Sequence, residues 1–156
     1  MSTQAMLDAL APILAVVARV DVNNPAAAKA MLTRELPLTN PAVVAVRALF
    51  KQGVSEGWLC NKEGGGAKFS RLAKQSPETK NLSIDAVRMS GPGVWHKHTG
   101  GEIDLCFANN PGATFDKNPE GWVVFGPNSE HVPTVASGEM DILYFLPGGQ
   151  IEWKRA

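Results

Sequence analysis

The chain concentrates all of its histidines, together with a nearby carboxylate, in one short region. His96 and His98 are separated by one residue, Glu102 follows four positions later, and His131 closes a stretch of 36 residues. Imidazole and carboxylate groups bind divalent metals such as zinc, iron, manganese or nickel, and they also transfer protons near neutral pH. We therefore expect His96, His98, Glu102 and His131 to share one site, as metal ligands or as acid–base groups.

Side-chain alternation along strands explains how these residues would converge. Residues i and i+2 of a strand share a face, so His96 and His98 should point the same way. The segment 99–101 suits a tight hairpin turn, after which Glu102 would lie across from the histidines on the next strand. Asp104 would share the side of Glu102 and is a candidate for fixing a histidine tautomer.

Length and composition favour one globular domain. A chain of 156 residues with 44% hydrophobic content can bury a core. Its 15 basic and 15 acidic residues balance, and no run of basic residues would bind a polyanion. Nucleic acid and an anionic membrane are therefore not expected as partners. The N-terminal segment contains Asp8 and Pro12 and lacks a basic run, which argues against a signal peptide or a membrane span.

Cys60 and Cys106 lack the spacing of a disulfide or a zinc site. We therefore expect both to be reduced thiols in a cytoplasmic protein. Each is expected to be a packed residue and not a metal ligand or a nucleophile.

Helical periodicity is confined to residues 1–57. Apolar residues recur at helical spacing near the N-terminus, and Asn24 and Asn40 each precede a proline, a combination typical of a helix start. We expect these helices to pack on the rest of the chain. They are predicted at about residues 7–17, 25–36 and 41–53.

From residue 58 to 156 the pattern changes to short β-branched and aromatic segments separated by glycine, proline and asparagine turns. Closely spaced strands without intervening helices favour antiparallel closure into a barrel or sandwich. The predicted strands are residues 58–60, 68–72, 82–89, 94–98, 102–108, 122–125, 132–135, 140–146 and 151–153.

The pattern His96-x-His98-x-x-x-Glu102, followed by a proline and His131, resembles the two motifs of the cupin superfamily. Cupins are small β-barrels that usually hold iron, manganese, nickel or zinc through two histidines and a glutamate of the first motif and a histidine of the second. The resemblance implies a mainly β fold, namely a cupin-like antiparallel β-barrel or jelly roll, with these four residues as the metal ligands. In the second motif Ser129 replaces a glycine, and the spacing to His131 is one residue short.

A second resemblance covers residues 82–153. The strings Gly-Glu-Ile-Asp-Leu-Cys-Phe, His-Val-Pro-Thr-Val and Ile-Leu-Tyr-Phe-Leu-Pro-Gly-Gly are similar to sequences of the 4-hydroxylaminobenzoate lyases. These enzymes act in bacterial nitrobenzoate breakdown and convert 4-hydroxylaminobenzoate to protocatechuate with release of ammonia. The resemblance implies the same reaction on a small aromatic carboxylate. Because many small cupins pair through exposed strands, it also implies a homodimer.

This chemistry assigns roles to individual residues. Glu102 is the candidate for the acid or the base and His131 for its partner, because the hydroxylamine oxygen must be protonated before it leaves as water and a water must then be deprotonated. Arg88 is the first candidate for the substrate carboxylate, since a guanidinium donates two parallel hydrogen bonds, and a solvated surface arginine is the alternative. Tyr144 and Asp104 are further candidates for substrate binding, and Tyr144 is otherwise a core residue. A metal-dependent cupin dioxygenase or isomerase, and a non-catalytic ligand-binding cupin, are the alternative functions.

Overall fold

The N-terminal third of the chain is helical. The structure, a computed structural model, describes residues 2–153. The side chains of Asn24 and Asn40 accept hydrogen bonds from the backbone N–H groups of Ala27 and Ala42, so the predicted caps are confirmed. None of the described helices is long and apolar enough to cross a membrane. The helices are α1 (Thr3–Val17), α2 (Pro25–Glu35) and α3 (Pro41–Glu56).

Helix α3 runs past the end predicted from the sequence. Gly53 lies inside the helix, where a Cβ would stand 2.8 Å from the Cβ of Leu59. The helix ends at Gly57, whose φ of 86° is the left-handed conformation that favours glycine. The chain then turns through Cys60, so the strand predicted at residues 58–60 is wrong.

The rest of the described chain forms antiparallel sheets. One sheet has the strand order β1-β2-β3-β9-β5-β7, with β6 paired to β9, and a second sheet contains β4 and β8. The prediction of a mainly β, antiparallel fold preceded by three helices is confirmed, although the ladders between described residues form two sheets rather than one closed barrel. The strands are β1 (Lys62–Gly64), β2 (Ala67–Ala73), β3 (Leu82–Pro92), β4 (His96–His98), β5 (Glu102–Ala108), β6 (Thr114–Phe115), β7 (Gly121–Phe125), β8 (Ser129–His131) and β9 (Thr134–Pro147).

Two further predicted strands are not formed as continuous strands. The segment predicted at 132–135 is divided, because Val132 and Pro133 lie between β8 and β9. The segment predicted at 151–153 contributes a single bridge, between Glu152 and Lys97 of β4.

The two faces of the seven-stranded sheet pack against different elements. Leu105 and Phe145 point toward the three helices and join their buried side chains in one core cluster. Cys106 and Tyr144 point to the opposite face and belong to a second cluster. The β4–β8 sheet lies over this second face, since the ring centroid of His96 is 6.4 Å from that of Tyr144. The candidate site therefore lies between the two sheets.

Candidate active site

The three histidines lie on the two-stranded sheet. His96 and His98 are 1% and 0% exposed, so they share a buried face as predicted. Strand β4 pairs with β8, which places His131 directly opposite His96. The hairpin predicted between β4 and the strand of Glu102 is wrong, because β5 pairs with β7 and β9.

Glu102 reaches the histidines from the other sheet. It is the first residue of β5 and follows Gly101, whose φ is 89°. A Cβ at Gly101 would stand 2.9 Å from a methyl group of Val22, so both the conformation and the space require glycine. The turn at residues 99–101 thus carries the chain from one sheet to the other and places Glu102 among the imidazoles.

The Nε2 atoms of the three histidines converge on the carboxylate of Glu102. Its Oε1 atom lies 3.0 Å from Nε2 of His96 and 3.2 Å from Nε2 of His98. Its Oε2 atom lies 3.6 Å from Nε2 of His131, which is 2.9 Å from Nε2 of His96. The structure therefore brings together the four residues that the sequence singled out, with their candidate ligand atoms within 4.8 Å of one another.

Hydrogen bonds on the far side of two rings determine which nitrogen carries a proton. Nδ1 of His98 lies 2.8 Å from Oγ of Ser129, whose hydroxyl donates to the carbonyl oxygen of Gly126. The oxygen of that hydroxyl must then accept from Nδ1–H of His98, which leaves Nε2 of the neutral ring unprotonated. Asp116 likewise accepts a hydrogen bond from Nδ1–H of His131.

This arrangement fits a divalent cation. Nε2 of His98 and Oε2 of Glu102 are buried and find no hydrogen-bond partner among residues 2–153. Lone pairs that face one another repel unless a proton or a metal ion lies between them. Three imidazole nitrogens and a carboxylate form a donor set suited to zinc, iron, manganese or nickel. The residues that would hold the ion are His96, His98, Glu102 and His131.

The electrostatics of the cluster distinguish its acidic groups. Burial would raise the pKa of Glu102, but contacts with the three histidines and Asp104 hold that pKa well below its ordinary value. Burial, together with the charge of Glu102, raises the pKa of Asp104 well above its ordinary value. Of the two carboxyl groups, Glu102 therefore favours the ionised form and Asp104 the protonated form. Burial would lower the pKa of His131, but its hydrogen bond to Asp116 and its contact with the carboxylate of Glu102 outweigh burial and raise it to about 9.

Asp116 and Ser129 contact the histidines without having been predicted to do so. Asp116 lies in a turn after β6, and its second oxygen accepts the backbone N–H of Thr134. No strand periodicity connects this turn with His131, so the sequence carries no clear signal for it. Ser129 stands two residues before His131, and strand alternation is the signal that could have placed both on one face.

Tyr144 and Cys106 lie on the site face of the seven-stranded sheet. Tyr144 is 5% exposed and lines a cavity, and burial raises the pKa of its hydroxyl well above the ordinary value. Cys106 is fully buried, which likewise raises the pKa of its thiol, and it is outside the group of metal-binding candidates. Its environment is that of a packing residue.

Arg88 is not brought to the cluster. Its partner across β3 and β9 is Asp141, whose carboxylate accepts two hydrogen bonds from the guanidinium, at 2.7 and 2.9 Å. The neighbouring residues Val87 and Met89 line the cavity beside the cluster, so alternation turns Arg88 to the opposite face. The role predicted for Arg88 in binding a substrate carboxylate does not fit this position.

An apolar cavity of about 480 Å³ leads to the cluster. His96 belongs to both, and the cavity also contacts Tyr144. Val87, Met89 and Trp153 supply apolar walls, with the Trp153 ring centroid 5.3 Å from that of His96. This volume is within the range of small-molecule sites.

Comparison with known proteins gives a consistent set of relatives. A family model described as 4-hydroxylaminobenzoate lyase matches residues 11–153. A 4-hydroxylaminobenzoate lyase of Nocardioides sp. (strain LMS-CY) is 36% identical, and the match covers 69% of this chain and 70% of that protein. A protein of the same name from Pseudomonas putida is 32% identical, with 69% and 72% covered.

Solved structures show more distant likeness. A cupin-like protein from Thermotoga maritima has a TM-score of 0.36 and 15% identity, covering 60% of this chain and 79% of that one. Salicylate 1,2-dioxygenase from Pseudoaminobacter salicylatoxidans has a TM-score of 0.41 and 12% identity, covering 70% and 34%. At these values nothing about the chemistry of this chain follows from either structure.

Proposed function

Because the chain belongs to the 4-hydroxylaminobenzoate lyase family, we propose that it converts 4-hydroxylaminobenzoate to protocatechuate with release of ammonia. The observation that carries the proposal is the cluster of His96, His98, Glu102 and His131 beside a cavity large enough for one aromatic ring. The names of the relatives supply the substrate, and the geometry supplies groups that transfer protons and orient water.

The overall reaction adds one water to 4-hydroxylaminobenzoate and gives protocatechuate and ammonia. Protonation of the hydroxylamine oxygen lets the N–O bond break, and water leaves with the bonding electrons. The cationic ring then takes up water at the neighbouring carbon and loses a proton to a base. A second water hydrolyses the imine and releases ammonia, and loss of the ring proton restores the aromatic system. One water leaves and two enter, and no external oxidant or reductant is needed.

His131 and Glu102 suit the two proton transfers. With a pKa of about 9, His131 is protonated at neutral pH and able to donate to the leaving oxygen. Glu102 stays ionised and is the base that takes a proton from the attacking water. Asp116 holds the imidazole of His131 in one orientation through Nδ1.

The four residues of the cluster would also hold a divalent ion, which would supply Lewis-acid chemistry when bound. With Nε2 committed as a ligand, His131 no longer donates a proton, and its role becomes positioning. The roles of His131 as general acid and as metal ligand are therefore alternatives, and turnover measured with and without a chelator distinguishes them.

The proposal is tested by incubating the purified protein with 4-hydroxylaminobenzoate without oxygen, with and without a chelator, while ammonia and protocatechuate are measured. We expect both products in equal amounts. Glu102→Gln and His131→Ala should each lower turnover by at least about 100-fold, as expected for loss of a general acid or base. Glu130→Gln is the matched control, because Glu130 lies on β8 beside His131 but is exposed.

Other results would contradict the proposal. Near-normal turnover in both folded variants would remove Glu102 and His131 from the chemistry. Oxygen consumption without anaerobic product would favour a dioxygenase, and saturable binding without turnover would favour a ligand-binding protein. The cytoplasmic location, the homodimer and the organisation of residues 1–57 and 58–156 as one globular domain stay predictions.

A further inference from the structure

The mouth of the cavity contains charged residues that the cluster does not use. Most of the cavity is apolar, but Lys62, Arg71 and Asp85 also line it. They come from β1, β2 and β3, at the edge of the seven-stranded sheet. Two cations and one anion leave a net positive charge at this end. The other end is lined by Tyr144 and by His96 of the cluster.

Strand register places Arg71 in line with the site. Arg71 pairs with Asp85, and Asp85 pairs with Tyr144 on the next strand. Directly paired residues of antiparallel strands point to the same face, so these side chains form one row. Arg71 and Tyr144 are two strand spacings apart, about 10 Å along the sheet. A single ring lying over this row would have one end near Tyr144 and His96 and the other near Arg71.

The guanidinium of Arg71 is held in place while keeping donors free for a ligand. Its Nε–H donates to Oδ1 of Asp85 at 2.9 Å. Among the described residues this is the hydrogen bond that Arg71 makes, and a guanidinium has five N–H donors. The two terminal NH₂ groups are therefore available for a bidentate contact with a carboxylate. Arg88, by contrast, has its guanidinium engaged by Asp141 on the opposite face.

We propose that Arg71, positioned by Asp85, binds the carboxylate of an aromatic carboxylate substrate at the mouth of this cavity. The inference rests on the proposed function, because it takes the substrate to be a para-substituted benzoate. With the carboxylate at Arg71, the para position points along the row toward Tyr144 and His96, so the hydroxylamino group lies at the cluster. Arg71 thus sets which end of the substrate reaches His131 and Glu102.

Binding of unreactive analogues tests this assignment independently of turnover. The probes are 4-aminobenzoate, which has the carboxylate but no N–O bond, and the uncharged 4-aminobenzamide. Arg71→Gln should raise the Kd of 4-aminobenzoate by about tenfold, equivalent to about 1.4 kcal/mol, and leave that of 4-aminobenzamide nearly unchanged. The effect is modest because the Arg71 side chain is 46% exposed. Arg71→Lys should recover part of the affinity.

Lys68→Gln is the matched control. Lys68 is on the same strand, its side chain is 55% exposed, and its removal changes the net charge equally, but it does not line this cavity. The Lys68→Gln variant should bind both probes with the same affinity as the unaltered protein. Equal losses for Lys68→Gln and Arg71→Gln would show only a general charge effect and overturn the assignment.

Turnover separates this inference from the proposed function. If the protein releases ammonia, Arg71→Gln should raise KM about tenfold, like the Kd above, with little change in kcat. Arg71-dependent binding of 4-aminobenzoate in a protein that never turns over 4-hydroxylaminobenzoate would support the subsite and refute the reaction. Turnover with an unchanged KM and Kd in Arg71→Gln would refute the carboxylate subsite but not the reaction. If neither 4-aminobenzoate nor 4-aminobenzamide binds, the subsite is refuted as well.

Discussion

His131→Gln should remove a pH dependence of stability from the ion-free protein. His131 has a pKa of about 9 in the folded chain against its ordinary 6.5, because its hydrogen bond to Asp116 and its contact with the carboxylate of Glu102 outweigh burial. A difference of one pKa unit corresponds to about 1.4 kcal/mol. The difference between the folded and ordinary pKa values of His131 therefore stabilises the folded protein by about 3 kcal/mol. His96 and His98 of β4 also face the ring, and Glu102 and Asp116 are the carboxylates against it.

The sign follows from which state binds the proton more tightly. The folded protein holds the proton of His131 more tightly than the unfolded chain does, so the stabilisation is fully present below pH 6.5. It declines as the pH rises and is lost above about pH 9. Asp116→Asn should lower the pKa of His131 and so end the decline at a lower pH.

Urea denaturation after treatment with a chelator, at several pH values from 6 to 9.5, measures this effect. The difference in unfolding free energy between the unaltered protein and His131→Gln should shrink by about 3 kcal/mol across that range, as the pKa difference requires. Taking the difference cancels the other groups that titrate in both proteins. A difference that stays constant, or that grows with pH, would refute the reasoning about the His131 contacts.

Three further perturbations follow from the same geometry. Ser129→Ala removes the acceptor of Nδ1–H of His98, and titration calorimetry should show about tenfold weaker binding of a divalent ion. Gly101→Ala should lower the unfolding free energy by about 1–3 kcal/mol in urea denaturation, because its φ of 89° strains any other residue. Burial raises the pKa of Cys60 to about 12 and that of Cys106 well above its ordinary value, so a thiol reagent at pH 8 should label neither until the protein unfolds.

Each of these perturbations has a control or a contrary result. Ser90→Ala changes a serine whose hydroxyl donates to the carbonyl oxygen of Gly138 and not to a histidine, and which does not line the cavity beside the cluster, so it should leave ion binding unchanged. Gly112→Ala shares the positive φ of Gly101 but meets nothing within 4 Å, so it should cost less. Rapid labelling of Cys106 in the folded protein would contradict its burial.

Local sequence signals predicted most of the elements. Asn24 and Asn40 before prolines marked two helix starts, and alternation identified β3, β5 and β9. The short apolar segment at 58–60 has strand-forming residues, but it follows directly on the Gly57 helix end and pairs with no strand. The pairing of β4 with β8 joins residues that are 31 to 35 positions apart, and no local signal favours it over the nearer strand of the predicted hairpin.

Only the part of the site that depends on side-chain alternation within a strand could be predicted from the sequence. His96, His98 and Glu102 were recognisable because their spacing survives whichever strands pair. Arg88 was misplaced because a sequence shows that neighbours alternate but not which set faces the site, and the register of β3 decides that. Asp116 lies in a turn whose approach to His131 depends on the whole sheet.

The cluster joins two sheets that share no ladder among the described strands. Glu102 begins β5 of the larger sheet, while the three histidines lie on β4 and β8, which have three residues each. A two-stranded ribbon of this length is not stable alone, so its position depends on contacts across the site. An ion held by all four side chains would link the sheets and stabilise the folded state by about 2.7 kcal/mol at a free concentration 100 times its Kd. Because His96 also lines the cavity, the same link would fix the wall against which a substrate ring packs. Ion binding and substrate binding should therefore be coupled, and removing the ion should weaken 4-aminobenzoate binding even though Arg71 is untouched.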